Sequence, residues 1–153
     1  MKAKIEQLAN NLHAAWAAEY RRQNGANAQR WKPVTGLDLE FVLAAQAAGS
    51  IEAAAVRSTD ACGVEIDIAG LGNSQLPSKF SAENTAAAAG AINAISVSPE
   101  GGMEEWAAVV HDQWLERNGA WAPAEQKLPY SDLSEGEKEK DRAVVRAALE
   151  VLN

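Results

Sequence analysis

Apolar residues recur at helical spacing near both ends of the chain. In the first segment they are Ile5, Leu8, Ala9, Leu12, Trp16 and Tyr20. The i, i+3, i+4, i+7 spacing puts these side chains on one face of a helix, and Gly25 is typical of a helix end. The same spacing returns at Met103, Trp106, Ala107, Val110 and Trp114. The pattern predicts two similar helices, the second ending near Gly119, with Trp16 and Trp114 in the core.

Further elements are predicted between and after these helices. A helix over residues 36–48 has Asp38 near its start as a cap, and its inner stripe is Leu39, Val42, Leu43 and Gln46. Residues 51–56 favour a short helix weakly, whereas the alternation over residues 62–68 is typical of a strand. A long helix is predicted over residues 81–95. A last helix begins at Ser134, which forms a capping-box pattern with Glu137.

The chain repeats itself. A shift of 98 residues (from 13 to 111) places His13 on His111 and Trp16 on Trp114. A shift of 57 residues (from 71 to 128) aligns the closing helices, and it pairs Leu71 with Leu128, Asn84 with Asp141, and Ile92 with Leu149. Trp31 and Pro33 match Trp121 and Pro123 at a shift of 90 residues (from 31 to 121), and both tryptophans are expected in loops. The first copy is longer, mainly between Pro33 and Leu71.

This self-similarity predicts one domain over residues 1–153, built from two copies of one helix–loop–helix unit. The first repeat covers residues 3–95, the linker residues 96–102, and the second repeat residues 103–153. The expected fold is mainly α, with the two repeats packed in pseudo-twofold symmetry. Short β-strand segments are expected in the irregular arm that joins the two main helices of each repeat. Each unit alone has too little apolar area to bury its stripe, so the two copies are expected to pack together.

Charge and composition narrow the function. The net charge of −7 disfavours a broad nucleic-acid surface, although a few local arginines or a helix N-terminus can hold a small anion. Cys62 is the single cysteine, so no intramolecular disulfide can form. The sequence shows neither a secretory signal pattern nor an apolar run of membrane-spanning length. These features favour a cytoplasmic protein that is not in a membrane.

No catalytic or cofactor motif is present. The chain lacks a phosphate loop, a Gly-x-Ser-x-Gly elbow, a His-Glu-x-x-His pair and a Cys-x-x-Cys pair. Two histidines and one cysteine at these spacings do not suggest a metal site. The sequence therefore favours a protein that is not an enzyme and has no cofactor.

The second copy resembles the ryanodine-receptor repeat, or RyR domain. In that family a helix with histidine and tryptophan leads to a tryptophan-containing loop and then to a Pro-[Tyr/Phe]-x-x-Leu-x-x-x-Glu-Lys-x-x-Asp-Arg motif. The matching residues here are Pro129, Tyr130, Leu133, Glu137, Lys138, Asp141 and Arg142. In the first copy Asn73 and Thr85 replace Tyr130 and Arg142. The family's longer loop, with Arg, Asp-Asp and His-Pro elements, is reduced here to residues 122–128.

The resemblance implies a stand-alone, non-catalytic ligand-binding or interaction module, with nucleotide binding suggested for some members. The candidate ligand-binding residues are Trp31, Trp121, Tyr130, Arg142, His13 and His111. Each has a structural alternative: the tryptophans and the tyrosine can fill the core, Arg142 can pair with a carboxylate, and a histidine ring nitrogen can bind a backbone carbonyl. The preferred hypothesis is a site for a nucleotide-like small molecule where the repeats, or two subunits, meet. The alternative is a structural or protein–protein interaction module, and an assembly of identical chains is compatible with either.

Overall fold

The computed structural model describes all residues from 1 to 153 and is mainly α-helical, as the sequence predicts. The helices are α1 (Lys2–Asn24), α2 (Gly36–Ala47), α3 (Ser78–Val97), α4 (Met103–Asn118) and α5 (Glu135–Leu152). The strands are β1 (Trp31–Val34), β2 (Val56–Ser58) and β3 (Val64–Asp67). None of the helices combines the length and the apolar character needed to cross a bilayer.

Local signals set most helix ends. Helix α1 stops before Gly25, whose φ of 115° favours glycine, and α4 stops before Gly119. Helix α5 starts after Ser134, whose hydroxyl accepts a hydrogen bond from the Glu137 amide at 3.3 Å. The predicted cap of α2 is wrong: its N-cap is Thr35, and Asp38 lies inside the first turn without capping it.

Two 3-10 turns precede the closing helices at the same spacing. Asn73–Gln75 begins five residues before α3 (73 and 78), and Tyr130–Asp132 begins five residues before α5 (130 and 135). A third 3-10 turn, Ala53–Ala55, stands where a weak helix was predicted over residues 51–56. Similar backbone thus follows from aligned residues in the two copies, whereas the pseudo-twofold relation between whole repeats stays a prediction.

The three strands form an antiparallel sheet in the order β1-β3-β2. Only β3 was predicted, and Trp31 was expected in a loop. Trp31 instead begins β1 and pairs with Asp67, while Val56 of β2 pairs with Ile66. Strand β1 was missed because it contains Pro33, which a strand tolerates at a sheet edge.

The chain divides into two compact units. Unit 1 contains Met1–Leu12 and Thr85–Asn153, and unit 2 contains His13–Asn84. The predicted repeats have other bounds, because residues 3–12 and 85–95 of the first repeat belong to unit 1. Residues 96 and 97 of the predicted linker end α3, and residues 98–102 join α3 to α4 inside unit 1, where the Trp106 indole N–H donates to the Ser98 carbonyl at 2.9 Å.

The core of unit 1 is made of small and branched side chains, and α4 packs against α5. Its buried residues are Leu8, Ala9, Ala88, Ala91, Ile92, Ile95, Ala107, Val110, Tyr130, Leu133, Val145, Ala148 and Val151. The five alanines suit close helix packing, because a short side chain lets two backbones approach each other.

Unit 2 buries a smaller set around its sheet: Val34, Val42, Ile51, Ala55, Ile66, Ile68, Leu71 and Leu76. Two predicted core residues are not in this core. Leu43 on α2 is exposed, and Trp16 on α1 is 38% exposed. An amphipathic stripe indicates which side of a helix is apolar, but not how far each side chain on that side is covered.

Replacing Ser134 by alanine tests the cap of α5. The Ser134→Ala variant loses the hydroxyl that satisfies the Glu137 amide, so the free energy of unfolding should fall by about 1 kcal/mol. Urea denaturation measures this change. Ser131→Ala is the control, since the Ser131 hydroxyl bonds only the exposed neighbour Asp132, and it should leave stability nearly unchanged. Equal losses in the two variants would argue against the cap.

Candidate functional site

A cavity of about 180 Å³ lies in unit 2, and its walls come from separate stretches of the chain. The lining residues are His13, Trp16, Ile68, Leu76, Phe80, Glu83 and Asn84. Helix α1 supplies His13 and Trp16, and the first two turns of α3 supply Phe80, Glu83 and Asn84. Three of the seven side chains are aromatic, so the cavity offers flat surfaces on which a planar ring can stack.

His13 is held by a backbone carbonyl. Its Nε2 lies 2.8 Å from the Leu71 carbonyl oxygen, and the ring is buried. A carbonyl oxygen only accepts hydrogen bonds, so Nε2 carries the proton. Nδ1 then faces the Asn84 side-chain amide nitrogen at 3.5 Å with its lone pair. Trp16 stacks on the His13 ring, with centroids 5.4 Å apart and planes at 28°.

Asn84 continues this polar chain. Its Nδ2 donates to the Oδ1 of Asn73 at 2.9 Å, and Asn73 is buried. The Nδ2 group therefore faces two acceptors, His13 Nδ1 and Asn73 Oδ1. The other end of the amide, Oδ1, can only accept hydrogen bonds, and Asn84 is one of the residues that line the cavity.

His111 in unit 1 has an arrangement of the same kind. Its Nε2 lies 2.8 Å from the Leu128 carbonyl oxygen, its Nδ1 lies 3.3 Å from Asp141 Oδ2, and Trp114 stacks on its ring. Leu128 and Asp141 are the residues that the sequence alignment pairs with Leu71 and Asn84. Both histidines thus have a ring nitrogen on a backbone carbonyl, as the structural alternative describes, and a ligand-binding role for either stays a prediction.

The contact at the histidine Nδ1 atom holds one proton more in the second copy than the lone pair of His13 does in the first. Nε2 of His111 must carry hydrogen to bond the Leu128 carbonyl, so the contact between Nδ1 and Asp141 needs one shared proton. Burial raises the pKa of Asp141 to about 6, although the neighbouring His111 acts in the opposite direction. Burial is the larger influence because the carboxyl group has little access to water.

Arg142 is already paired. Its guanidinium donates to both carboxylate oxygens of Glu104 at 2.7 and 2.9 Å and to Glu135 at 2.9 Å. These bonds hold the pKa values of Glu104 and Glu135 below their usual range and raise that of Arg142. A phosphate would have to displace two carboxylates, so the geometry favours the structural alternative for this residue.

Tyr130 is also built into the fold. It is buried, and its hydroxyl donates to Glu104 at 3.1 Å, so it belongs to the same network as Arg142. Burial raises the pKa of its phenol, and the bond to Glu104 adds to this effect. Tyr130 thus packs against α4 and does not present a free face to a ligand.

The two loop tryptophans of the prediction have unlike surroundings. Trp31 of β1 is half-buried, and the Arg57 guanidinium lies 4.2 Å from its ring centroid while also bonding Glu65. Trp121 follows α4 in a turn, is 67% exposed, and meets Trp114 edge-on at 6.0 Å. Neither tryptophan lines the cavity of unit 2.

Of the six candidate residues, only His13 lines the cavity. His13 and Trp31 belong to unit 2, while His111, Trp121, Tyr130 and Arg142 belong to unit 1. The cavity residues that were missed include Ile68, Leu76 and Phe80. One signal was present in the sequence: Phe80 aligns with Glu137 of the second copy, so an aromatic residue stands where the family motif has a glutamate.

No group of three or more His, Cys, Asp or Glu side chains lies together in a way that would hold a metal ion. Comparison of the chain with protein-family models, with curated proteins and with solved structures gives no match.

The shared proton of unit 1 predicts a pH dependence. The folded protein keeps a proton on Asp141 up to about pH 6, whereas an unfolded aspartate releases it near pH 4. Asp141 therefore lowers the free energy of unfolding as pH rises from about 4 to about 6. In Asp141→Asn this contribution disappears, so the stability of the variant relative to the native protein should rise across that interval.

Urea denaturation at several pH values measures the difference. Subtracting the native curve removes the carboxylates common to both proteins, including Glu104 and Glu135, whose lowered pKa values act in the opposite sense at lower pH. Asp132→Asn, at an exposed aspartate two residues before Ser134, is the control and should show no such rise. A flat difference curve for Asp141→Asn would contradict the assignment.

Proposed function

We propose that the chain is a non-catalytic module that binds a small planar ligand, such as the base of a nucleotide-like molecule, in the cavity of unit 2. The observation that carries this proposal is the cavity itself, where Trp16 and Phe80 stand beside the buried ring of His13. Aromatic side chains favour flat heterocycles because every base has a π-face on which to stack. Trp16 is partly open to solvent, which gives a ligand a way in.

The size of the cavity decides which part of a nucleotide it would take. Sites for whole drug-sized ligands usually measure roughly 300–1,000 Å³, whereas this cavity measures about 180 Å³. It therefore suits one ring system, with any sugar or phosphate left outside. Arg142 is no phosphate partner in this proposal, because Glu104 and Glu135 already occupy its donors.

The first copy is the better candidate for binding, although it matches the family motif less well. In the second copy Glu137 and Lys140 take the aligned places of Phe80 and Glu83, and they form an ion pair at 2.8 Å. A solvated ion pair offers no apolar face to a ring. We propose, on the same grounds, that the chain is a two-repeat module of the RyR type in which unit 2 holds the ligand and the second copy has a structural role.

A binding role fits the histidines better than a catalytic one. Both ring nitrogens of His13 face protein groups, Leu71 and Asn84, and Nε2 is committed to a carbonyl. Nucleophilic catalysis needs a hydroxyl, thiol or amine beside a base. No serine, threonine, cysteine or lysine lines the cavity, which supports a module that binds without reacting.

Thermal denaturation with adenine, guanine, cytosine and uracil, and with adenosine mono-, di- and cyclic nucleotides, tests the proposal. A ligand that binds only the folded state at about 100 times its Kd stabilises it by about 2.7 kcal/mol, so the melting temperature must rise. Phe80→Glu, which copies the second repeat, and Trp16→Ala should both abolish the rise. Trp16→Ala is included because Phe80→Glu could fail to fold. The Trp16 side chain is already partly exposed, so its removal should leave the fold intact.

The matched control is Phe41→Glu, which places the same charge on an exposed phenylalanine of unit 2 outside the cavity. This variant should bind as the native protein does. No melting shift with any base or nucleotide, or a shift that survives both cavity variants, would refute the proposed site.

A protein-interaction module is the second candidate function, and α2 favours it. Leu37 is 82% exposed and Phe41 is about half exposed, and these residues share one face of α2 with the exposed Ala44. An apolar helix face open to water is typical of a contact surface. A second copy of the chain is the partner we propose for this face.

Light scattering after size-exclusion chromatography tests this second function. The native chain should elute as a dimer at high concentration, and the double variant Leu37→Glu, Phe41→Glu should elute as a monomer because like charges would meet at the contact. Glu40→Ala, which removes a charge on the same helix, serves as the control and should keep the dimer. A monomeric native chain at all concentrations would argue against self-association.

A further inference from the structure

The polar atoms of the cavity wall define the ligand more closely than its shape does. We propose that the cavity of unit 2 selects a planar ligand with two adjacent N–H donors, of the amidine or amino-substituted heterocycle class, and rejects planar anions. This inference rests on the proposed function, since it assumes that the cavity binds a ring. It depends on three observations: the tautomer of His13, the orientation of Asn84 and the charges on the wall.

The tautomer of His13 makes its Nδ1 atom a hydrogen-bond acceptor. The Leu71 carbonyl requires the proton to be on Nε2, at 2.8 Å, so a neutral ring has a lone pair on Nδ1. The contact from Nδ1 to Asn84 measures 3.5 Å, at the outer limit of a hydrogen bond. Nδ1 is therefore only weakly satisfied, and a closer N–H donor from a ligand would bind it better.

The orientation of Asn84 follows from the same tautomer. An amide group that faces a lone pair must present its NH₂, and this Nδ2 also donates to the buried Asn73 at 2.9 Å. Turning the amide around would place oxygen against the lone pair of His13 and against the oxygen of Asn73. The Oδ1 atom of Asn84 is therefore kept as an acceptor beside the acceptor of His13.

The charges on the wall agree with a donor ligand. No lysine or arginine lines the cavity, and the whole chain has a net charge of −7. Moving an anion from water into such a site leaves its charge without a partner, which is unfavourable. A neutral aminoheterocycle or an amidinium cation instead meets the acceptor atoms of His13 and Asn84.

Matched small probes separate the ligand class from the existence of the site. Benzamidine, 2-aminopyridine and benzoate are similar in size, but the first two donate N–H bonds and the third is an anion. Binding is followed by the indole N–H signal of Trp16 in NMR spectra, assigned with Trp16→Phe. We expect benzamidine and 2-aminopyridine to bind at least about tenfold more tightly than benzoate, as one or two lost hydrogen bonds imply.

The variant Asn84→Leu tests the acceptor directly, because it removes Oδ1 at nearly constant volume. It should weaken benzamidine about tenfold and leave benzyl alcohol, an aromatic probe without N–H donors, within about twofold. Asn93→Leu makes the same substitution at an exposed position of α3 and should change neither. The amide NMR spectrum of each variant shows whether the fold is kept.

The outcomes are distinguishable. Benzoate binding as tightly as benzamidine at the Trp16 signal would overturn the donor class while leaving a ring-binding cavity in place. Equal losses for benzamidine and benzyl alcohol in Asn84→Leu would also overturn it, since Asn84 would then only shape the wall. If no probe and no nucleobase moves the Trp16 signal, the proposed function fails together with this inference.

Discussion

A buried imidazole bound to a backbone carbonyl is the interaction on which both units depend. In each unit the histidine of a long helix gives its Nε2 proton to the carbonyl of a leucine that precedes the closing 3-10 turn. This bond holds the segment before the 3-10 turn against the helix, and it also determines the hydrogen-bonding role of Nδ1, the other ring nitrogen. Whatever residue faces Nδ1 must then either donate to a lone pair or share a proton with it.

That constraint explains why a change from Asn84 to Asp141 has large consequences. Asparagine faces the lone pair of His13 with its NH₂ group, so the contact between His13 and Asn84 needs no shared proton. Aspartate makes His111 share a proton, and burial raises the pKa of Asp141 to about 6. The same arrangement is thus a histidine–asparagine pair in one unit and a histidine–aspartate pair that shares a proton in the other.

Sequence periodicity was sufficient for the helices because their apolar positions and their caps lie close together in the chain. The internal repeat was also informative, because its alignment pairs Leu71 with Leu128, and the carbonyl oxygens of these two residues bind the histidines. The two edge strands were missed because β1 contains Pro33 and β2 has only three residues, whereas the central strand β3 was predicted. The pairing of Arg142 with Glu104 joins residues 38 positions apart, which no local pattern reveals.

The cavity could not be predicted because its lining residues lie far apart in the sequence. It also favours, as the proposed ligand site, the copy that matches the family motif less well. In the copy that matches the family motif, Tyr130 and Arg142 bind Glu104, so the motif residues hold the arm in place. In the divergent copy Asn73 replaces the tyrosine and steadies Asn84, while Phe80 replaces a solvated glutamate. Residues that keep a fold are satisfied by one another, whereas a ligand needs groups that are left partly unsatisfied. The Nδ1 atom of His13 in the divergent copy, 3.5 Å from Asn84, is such a group, and for that reason we propose the ligand site there.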